Sequence, residues 1–455
     1  EKCGNAARAR SPGATLFEAQ VVQWLAATYG RHADAARSFF MGIYEVFCRV
    51  YQGVFKVASP IFPWRNPELV EGAGSLSRIP SLLSTVEVRK PLVVTDAGLA
   101  KLGLHRTLLG ILDASGFGYK VFDGTVPNPT IGNIEDALVL FKDGGCDCIV
   151  AFGGGSAMDC AKGVGARVAR PRKSVASMKG LLKVGRDMPY FVAIPTTAGT
   201  GSEATLAAVI SNPDTHEKYP INDHALIPHA AILDPELTLG LPPSITATTG
   251  MDALTHAVEA FIGRSNTAQT EQDAVEATAI IMADLESLFQ NGNDVEKRAR
   301  MLRAAHLAGR AFTRAYVGYV HAIAHTLGGF YGVPHGLANA VILPIVLEYF
   351  GAVAWPRLAL LARRAGLTFA DVPGAGRTDT AGSDESVARA FIARIRAMNA
   401  AMGIPATISA IKAEDIPAMV GRALSEANPL YPVPAIYRRA EMTELYGLVA
   451  GKPGA

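Results

Sequence analysis

Two pairs of residues spaced four apart could do chemistry in this sequence. Asp252 lies four residues before His256, and His321 four residues before His325, each pair within largely apolar sequence. Residues at this spacing share one face of a helix. A further candidate, His335, follows in a short Gly-Val-Pro-His-Gly segment. A carboxylate and several imidazoles directed into one space suit a divalent metal, and the spacing leaves open whether His321 or His325 is the ligand.

Two loops rich in glycine and hydroxyl groups each follow a predicted strand. Residues 153–156 read Gly-Gly-Gly-Ser and open a helix, where free backbone N–H groups attract phosphate oxygens. Ser156 and Asp159 also match a capping box, so a capped turn without a ligand is an equal interpretation. Residues 195–203 carry three threonines and two glycines. Two such loops in one parallel domain favour a dinucleotide site.

Asp96 ends the first of the predicted strands. A carboxylate at this position can accept hydrogen bonds from the adenosine ribose of NAD and repel the 2′-phosphate of NADP. It also precedes a helical stretch, residues 97–102, and can cap it. The two roles are compatible, so Asp96 favours NAD as the cofactor.

Composition argues against several other classes of function. The net charge of the 455 residues is +2, which gives no electrostatic reason to expect a nucleic-acid partner. No uninterrupted apolar run of about 18 residues occurs, so we expect no membrane span. The five cysteines do not indicate a disulfide framework in a chain of this length.

The pattern of apolar residues predicts an α/β N-terminal domain with a parallel sheet, followed by an all-α C-terminal domain. Short apolar runs alternate with helical patterns, which is typical of βαβ units, and the strands are predicted at residues 91–95, 118–122, 148–152 and 190–194. Beyond residue 245 the strand signal ends, and long helices are predicted, for example over 270–289 and 294–312.

These patterns divide the chain into three parts. We predict an N-terminal extension over residues 1–60, a dinucleotide-binding domain over 61–240 and a helical metal-binding, catalytic domain over 241–455. Residues 41–63 have an amphipathic character that belongs to the extension. The protein is expected in the cytoplasm, or in an organelle matrix if residues 1–40 are the remnant of a transit segment.

The order and spacing of these motifs resemble the iron-containing (group III) alcohol dehydrogenase family over about residues 60–450. The resemblance implies Fe²⁺, with Zn²⁺ as the alternative, and a homodimer. It implies four metal ligands: Asp252, His256, His321 and His335. It assigns His325 to a catalytic position near the nicotinamide and the substrate, outside the ligand set.

The resemblance also implies a set of cofactor contacts. The diphosphate would lie at the glycine-rich loop, the nicotinamide and its ribose at the threonine loop, and the adenosine near Asp96 and Asn128. The full set is Asp96, Asn128, Gly153, Gly154, Gly155, Ser156, Thr196, Thr197, Thr200 and Lys218.

The predicted activity is hydride transfer between NAD(H) and a small alcohol or aldehyde. Apolar residues expected to face the cleft, namely Phe261, Phe330 and Tyr331, favour a short aliphatic or diol substrate. The alternatives are a polyol dehydrogenase or a lyase resembling 3-dehydroquinate synthase. The lyase needs a cluster of basic residues beside the histidines, and residues 245–345 offer Arg264 and Arg314 but no such cluster. A non-catalytic assembly subunit is disfavoured because all the ligand positions are intact.

Overall fold

A six-stranded parallel sheet forms the framework of the N-terminal half. The computed structural model describes residues 33–62, 64–213, 217–369 and 381–452. The strands of the large sheet follow the order β1-β9-β6-β4-β2-β3, and every pairing is parallel. They are β1 (Glu68–Glu71), β2 (Pro91–Asp96), β3 (Lys120–Thr125), β4 (Cys148–Gly153), β6 (Tyr190–Pro195) and β9 (Ala230–Leu233).

Both faces of this sheet are covered, which explains its continuous apolar strands. Neighbouring residues of β4 point to opposite faces: Ile149 packs in the core on one face of the sheet, and Val150 packs in the core on the other. The helices before and around the sheet are α1 (Ala33–Ala58), α2 (Ile79–Thr85), α3 (Ala97–Leu102), α4 (Arg106–Ala114), α5 (Ile131–Asp143) and α6 (Gly155–Ala169).

The predicted parallel sheet is confirmed, but the sequence patterns missed five strands. A small second sheet contains β5 (Gly180–Leu181), β7 (Ala207–Asn212) and β8 (Glu217–Asn222), with β7 and β8 antiparallel. Pro220 lies inside β8, and a proline weakens a strand pattern. The other two, β1 and β9, are only four residues long, too short for a clear periodicity.

The C-terminal half of the described chain is helical, as predicted. Its helices pack around one large apolar core. They are α7 (Pro243–Ile262), α8 (Ala268–Gln290), α9 (Val295–Ala315), α10 (Tyr319–Tyr331), α11 (His335–Phe350), α12 (Trp355–Arg364), α13 (Asp384–Ala401), α14 (Ile416–Ala427) and α15 (Arg439–Val449). In α7 every residue from 250 to 262 is buried, so this helix is the centre of the bundle.

One described helical stretch, His335–Val353, is long and apolar enough to cross a membrane by length and composition. Slightly more than half of it, 56%, is buried inside the protein. It packs against α7 and α10 in the helical core. A core helix of a soluble domain meets the same criteria, so this stretch is no evidence of a membrane span.

The two halves meet backbone to backbone at a pair of glycines. Gly201, in the threonine loop, has a φ of +60°, and Gly309 lies in α9. A Cβ atom on Gly309 would lie 2.5 Å from the Gly201 oxygen, and one on Gly201 would lie 2.6 Å from the Ala305 oxygen. Only glycine permits this approach, because any side chain would push the loop away from the helix.

Lys162 of α6 holds the same loop from the other side. Its side chain is fully buried, and its Nζ atom donates to backbone oxygens of Ser202, Thr205 and Ala207 at 2.7–2.9 Å. Burial lowers the pKa of Lys162 to about 8. The loop is therefore fixed between a buried ammonium group and the glycine contact with α9.

The glycine contact predicts opposite effects for two similar helix substitutions. We expect Gly309→Ala to lower the free energy of unfolding by about 1–3 kcal/mol, because the methyl group overlaps the Gly201 backbone. A Cβ atom on Gly110 of α4 meets nothing within 4 Å, so Gly110→Ala should raise stability by about 0.5–1 kcal/mol. Chemical denaturation followed by circular dichroism measures both, and equal effects would contradict the packing described.

Candidate metal centre and nucleotide site

Four side chains from three helices converge on one point. Each of Asp252, His256, His321 and His335 offers one donor atom, and these atoms all lie within 4.8 Å of one another. The first two come from α7, His321 comes from α10, and His335 is the first residue of α11. Ligand bonds of roughly 2.0–2.2 Å place the donors of a tetrahedral site about 3.4 Å apart. The Oδ1 atom of Asp252 lies 3.6 Å from Nε2 of His335 and 3.9 Å from Nε2 of His321, close to that spacing.

The chemistry of the cluster also fits a cation. Burial lowers the pKa of His256 and of His321 to about 4, and it holds the pKa of His335 well below its usual value. These rings are neutral near pH 7, so a ring nitrogen of each carries a free lone pair. Asp252 is only 2% exposed and adds a carboxylate oxygen. One carboxylate and three imidazoles suit Fe²⁺ or Zn²⁺.

Glu259, one helical turn beyond His256, orients one of the histidines. Its Oε2 atom lies 2.6 Å from Nδ1 of His321, and its Oε1 atom accepts the backbone N–H of Val320 at 2.8 Å. Because the carboxylate accepts the Nδ1–H, the Nε2 lone pair of His321 is directed to the cluster. The opposite ring nitrogen of a metal-binding histidine is commonly held in this way.

Asn339 is a member of the site that was not predicted from the sequence. Its Nδ2 atom donates to Oδ1 of Asp252 at 2.6 Å and lies 3.1 Å and 3.2 Å from Nε2 of His321 and His335. Asn339 follows His335 by four residues in α11, so the same spacing rule that identified the histidines could have found it. The Asn339 amide group therefore lies among three acceptor atoms, and a positive charge is favoured at the same place.

His325 lies beside the cluster with a different partner. Its Nδ1 atom is 2.7 Å from Oε1 of Glu426, and its ring stacks on that of His335 with centroids 5.2 Å apart. The hydroxyl of Tyr431 donates to the same carboxylate oxygen at 2.8 Å. Glu426 and Tyr431 could not be predicted from the sequence, because they lie about 100 residues from His325 along the chain and carry no motif.

The glycine-rich and threonine loops lie side by side at the carboxyl edge of the sheet. Gly153 pairs with Pro195 across β4 and β6, and the N–H of Thr196 donates to the Gly153 oxygen at 3.1 Å. A Cβ atom on Gly155 would lie 2.9 Å from Cγ2 of Thr200. One on Gly154 would lie 3.4 Å from Oγ1 of Thr197. The glycines thus bring the loop backbones close together, at the edge where open α/β sheets bind ligands.

The predicted capping box at the start of α6 is wrong. The helix is capped by Gly154, which has no side chain to contribute. Asp159 instead accepts hydrogen bonds from the Ser202 hydroxyl and the Val209 N–H. Its carboxylate joins the glycine-rich segment to the threonine loop. The first N–H groups of α6 therefore have no side-chain cap, as an anion site at a helix start requires.

The remaining predicted cofactor residues lie around these loops. Asp96 caps α3 by accepting the Leu99 N–H at 3.0 Å, which confirms its capping role. The Asn128 N–H donates to Ser156 Oγ at 3.3 Å. Nζ of Lys218 donates to Oδ1 of Asn128 at 2.7 Å, and burial lowers the pKa of Lys218. The structure therefore connects Asn128, Ser156 and Lys218 in one chain of contacts.

One cavity joins the donor cluster to the nucleotide loops. It is lined by residues of both halves: Asp252, His256, His321, His325 and His335 from the helices, and Asn128, Gly155, Ser156, Thr200 and Lys218 from the sheet domain. The predicted cleft residues were wrong. Phe261 is fully buried beneath Arg357, Phe330 lies beneath Arg422, and the Tyr331 hydroxyl donates to Asp415, so none of the three lines this cavity.

A parallel α/β domain, a helical domain and a shared cavity with metal-ligand chemistry define a nucleotide-linked metalloenzyme. The family model "Iron-containing alcohol dehydrogenase" matches residues 66–235, and the model "Fe-containing alcohol dehydrogenase family, C-terminal" matches residues 246–449. The chain belongs to the iron-containing alcohol dehydrogenase family. It is an oxidoreductase of alcohols and aldehydes, and the lyase and polyol dehydrogenase alternatives are not favoured.

Curated relatives and solved structures agree with this membership. The chain is 39% identical to alcohol dehydrogenase 4 of Schizosaccharomyces pombe, over 70% of this chain and 74% of that protein. It is 33% identical to the NAD-dependent methanol dehydrogenase of Bacillus methanolicus, over 80% and 94%. A crystal structure of 1,3-propanediol oxidoreductase superposes with a TM-score of 0.78 and 35% identity, covering 85% of this chain and 98% of that one.

We expect substitutions in and around the donor cluster to lower the metal affinity to different degrees. Glu259→Gln should lower metal affinity by roughly 10–100-fold, the usual effect of losing an outer partner, and Asp252→Ala should lower it further. His105→Ala, which removes a histidine from the nucleotide domain, should leave the metal content unchanged. Elemental analysis after anaerobic purification gives the metal per chain, and a full complement in Asp252→Ala would rule out this centre.

Proposed function

We propose that this protein is an Fe²⁺-dependent, NAD(H)-linked alcohol dehydrogenase that also reduces small aldehydes. The observation that carries the proposal is that the donor cluster and the nucleotide loops open onto one cavity. The proposed metal ligands are Asp252, His256, His321 and His335. Iron is supported by the family, whereas the donor set itself also accepts Zn²⁺.

The preference for NAD is supported by two observations. Asp96 presents a carboxylate at the end of β2, next to the glycine-rich loop: a Cβ atom on Gly153 would lie 3.5 Å from its Oδ2 atom. Such a carboxylate accepts ribose hydroxyls and repels a 2′-phosphate. The Bacillus methanolicus relative is named as an NAD-dependent enzyme. The predicted homodimer and cellular compartment stay predictions.

The catalytic role of the chain is to hold the donors and move a proton. When bound, the metal supplies Lewis-acid polarisation of the substrate oxygen, and the nicotinamide exchanges hydride with the substrate carbon. Glu259 accepts the Nδ1–H of His321, so the Nε2 atom would be available to hold the metal. Asn339 fixes the carboxylate of Asp252 through its Nδ2–H group.

His325 is proposed as the proton relay. Because Glu426 accepts the Nδ1–H of His325, the Nε2 atom is free to take a proton from an alcohol or to return one to a carbonyl. Tyr431 donates to Glu426 and fixes the carboxylate in turn. His325 lines the cavity, and its side chain is 19% exposed, so a proton can pass on to water or to a cofactor ribose.

The direct test is turnover by purified protein loaded anaerobically with Fe²⁺ or Zn²⁺. We expect NADH to accumulate with short primary alcohols and to be consumed with the matching aldehydes, since relatives are named for methanol and 1,3-propanediol. Higher turnover with Fe²⁺ than with Zn²⁺ would support the proposed metal. An absence of NADH-linked turnover over a panel of short alcohols and aldehydes would refute the proposed function.

Removal of the charge of Asp96 should weaken discrimination against NADP. We expect Asp96→Asn to raise the ratio of kcat/KM for NADP to that for NAD by on the order of tenfold, while the amide still caps α3. Asp123→Asn, an exposed carboxylate on the neighbouring strand β3, is the matched control. Steady-state kinetics with both cofactors measures the ratio. An unchanged ratio in Asp96→Asn would show that other residues select the cofactor.

If His325 is the proton relay, its removal should lower the rate of turnover without loss of bound metal. His325→Ala should lower kcat by roughly 10²–10⁴-fold at unchanged metal content, because general acid–base assistance disappears. Glu426→Gln should have a smaller effect, since a glutamine oxygen can still accept the Nδ1–H. Single-turnover kinetics and elemental analysis of the same samples separate the two quantities. If His325→Ala lost its metal in proportion to its activity, His325 would have to be reassigned as a ligand.

A further inference from the structure

Part of the described chain lies outside both segments matched by the family. Those segments begin at residue 66, yet α1 and residues 59–62 and 64 are described before it. The solved 1,3-propanediol oxidoreductase is covered over 98% of its own length by 85% of this chain. The segment formed by residues 33–62 and 64, named here the N-terminal strap, therefore lies outside both segments that the family models match.

The strap docks on the helical domain through its polar side chains. Arg49 donates to the backbone oxygens of Val433 and Pro434 at 2.7 and 2.9 Å. Gln52 is 5% exposed and donates to the oxygens of Pro429 and Tyr431 at 3.1 and 2.8 Å. These bonds are buried or part-buried, so they fix one face of α1 against the loop that follows α14.

The end of the strap is fixed between both halves of the protein. The ring of Phe62 stacks on His224 of the nucleotide half at 5.0 Å, and Trp64 meets the same imidazole edge-on at 4.5 Å. Arg314, in the last turn of α9, lies over the Trp64 ring at 5.3 Å and donates to Asn66 at 2.8 Å. The segment thus crosses the cleft between the two domains.

Three aromatic side chains of the strap line the cavity that contains the metal donors. These are Phe55, Phe62 and Trp64, together with the polar Ser59. None of the described strap residues that line the cavity carries a charge. The adjoining wall is also largely apolar, with Val317 and Leu430. A surface of this kind favours apolar ligand groups over hydroxylated ones, because a buried hydroxyl would find few partners.

We propose that the N-terminal strap forms the substrate wall of this cavity and selects primary alcohols and aldehydes with apolar tails. This inference rests on the proposed function. The strap lies on the substrate side because Gln52 holds the backbone of Tyr431, whose hydroxyl donates to Glu426, the partner of His325. The proton relay and the aromatic wall are thus joined through Tyr431. The nucleotide loops lie at the sheet edge of the same cavity.

A series of straight-chain primary alcohols from ethanol to 1-octanol tests the wall. In the parent protein, kcat/KM should rise by about fourfold per methylene once the tail reaches the aromatic rings, the usual value of burying a CH₂ group. In the double variant Phe55→Ala/Phe62→Ala this rise should flatten, so the longer alcohols lose more than ethanol. Phe47→Ala is the matched control, because Phe47 is a 54% exposed aromatic residue of the same helix.

A second pair of substitutions tests whether docking of the strap on the helical domain is required for the dependence on chain length. Arg49→Ala/Gln52→Ala leaves the aromatic rings intact but removes four hydrogen bonds that hold α1. It should flatten the chain-length dependence in the same way. The affinity of the metal-loaded protein for 1-hexanol, measured by calorimetry without cofactor, should be lower in both double variants. Equal metal content and thermal unfolding midpoints show whether the variants remain folded.

The outcomes separate this inference from the proposed function. Turnover of short alcohols with an identical chain-length slope in the parent, Phe47→Ala and both double variants would overturn the substrate wall and leave the dehydrogenase assignment intact. A flattened slope in Phe47→Ala equal to that in Phe55→Ala/Phe62→Ala would also overturn it. An absence of turnover in the parent would instead refute the proposed function, and the hexanol binding measurement would still report on the wall.

Discussion

The helical domain is arranged so that four side chains with lone-pair donor atoms lie together in its buried interior. Asp252 carries a carboxylate into a region where it is only 2% exposed, and neutral imidazoles surround it. Lone pairs in contact repel each other unless positive charge or a hydrogen-bond donor lies between them. Three helices must therefore meet at one point to hold the cluster. Asn339 supplies one donor there, and the arrangement of the remaining atoms favours a cation.

The contact between the two domains brings the nucleotide loops close to the metal donors, as the proposed reaction requires. A metal centre in a helical bundle becomes a hydride-transfer site only if a nicotinamide can be held beside it. The threonine loop reaches the helices because Gly201 and Gly309 lack side chains, and Lys162 of α6 holds the loop from the sheet side through hydrogen bonds to its backbone oxygens. The distance between the threonine loop, where we propose that the nicotinamide binds, and the metal donors is thus set by residues that take no part in the proposed chemistry.

The sequence predicted the parts of the site that have local spacing, and it failed where the partners are remote. The i,i+4 pairs placed Asp252, His256 and His321 on common helix faces, and the central strands followed from their apolar runs. Glu426 and Tyr431 could not be predicted, because only the packing of α14 against α10 brings them to His325. The capping box at Ser156 failed for a related reason, since Asp159 serves a long-range contact with Ser202 instead.

The N-terminal strap has a consequence for how this enzyme can diversify. Its aromatic side chains approach the site from a segment outside both matched parts of the family, whereas the donors and the glycine-rich loop lie inside them. Under the proposed role of the strap, mutations of its aromatic residues alter substrate range while the metal donors and the glycine-rich loop stay unchanged. New specificities can therefore evolve or be engineered most freely at these aromatic positions, whereas a change at Gln52 also reaches the backbone of Tyr431.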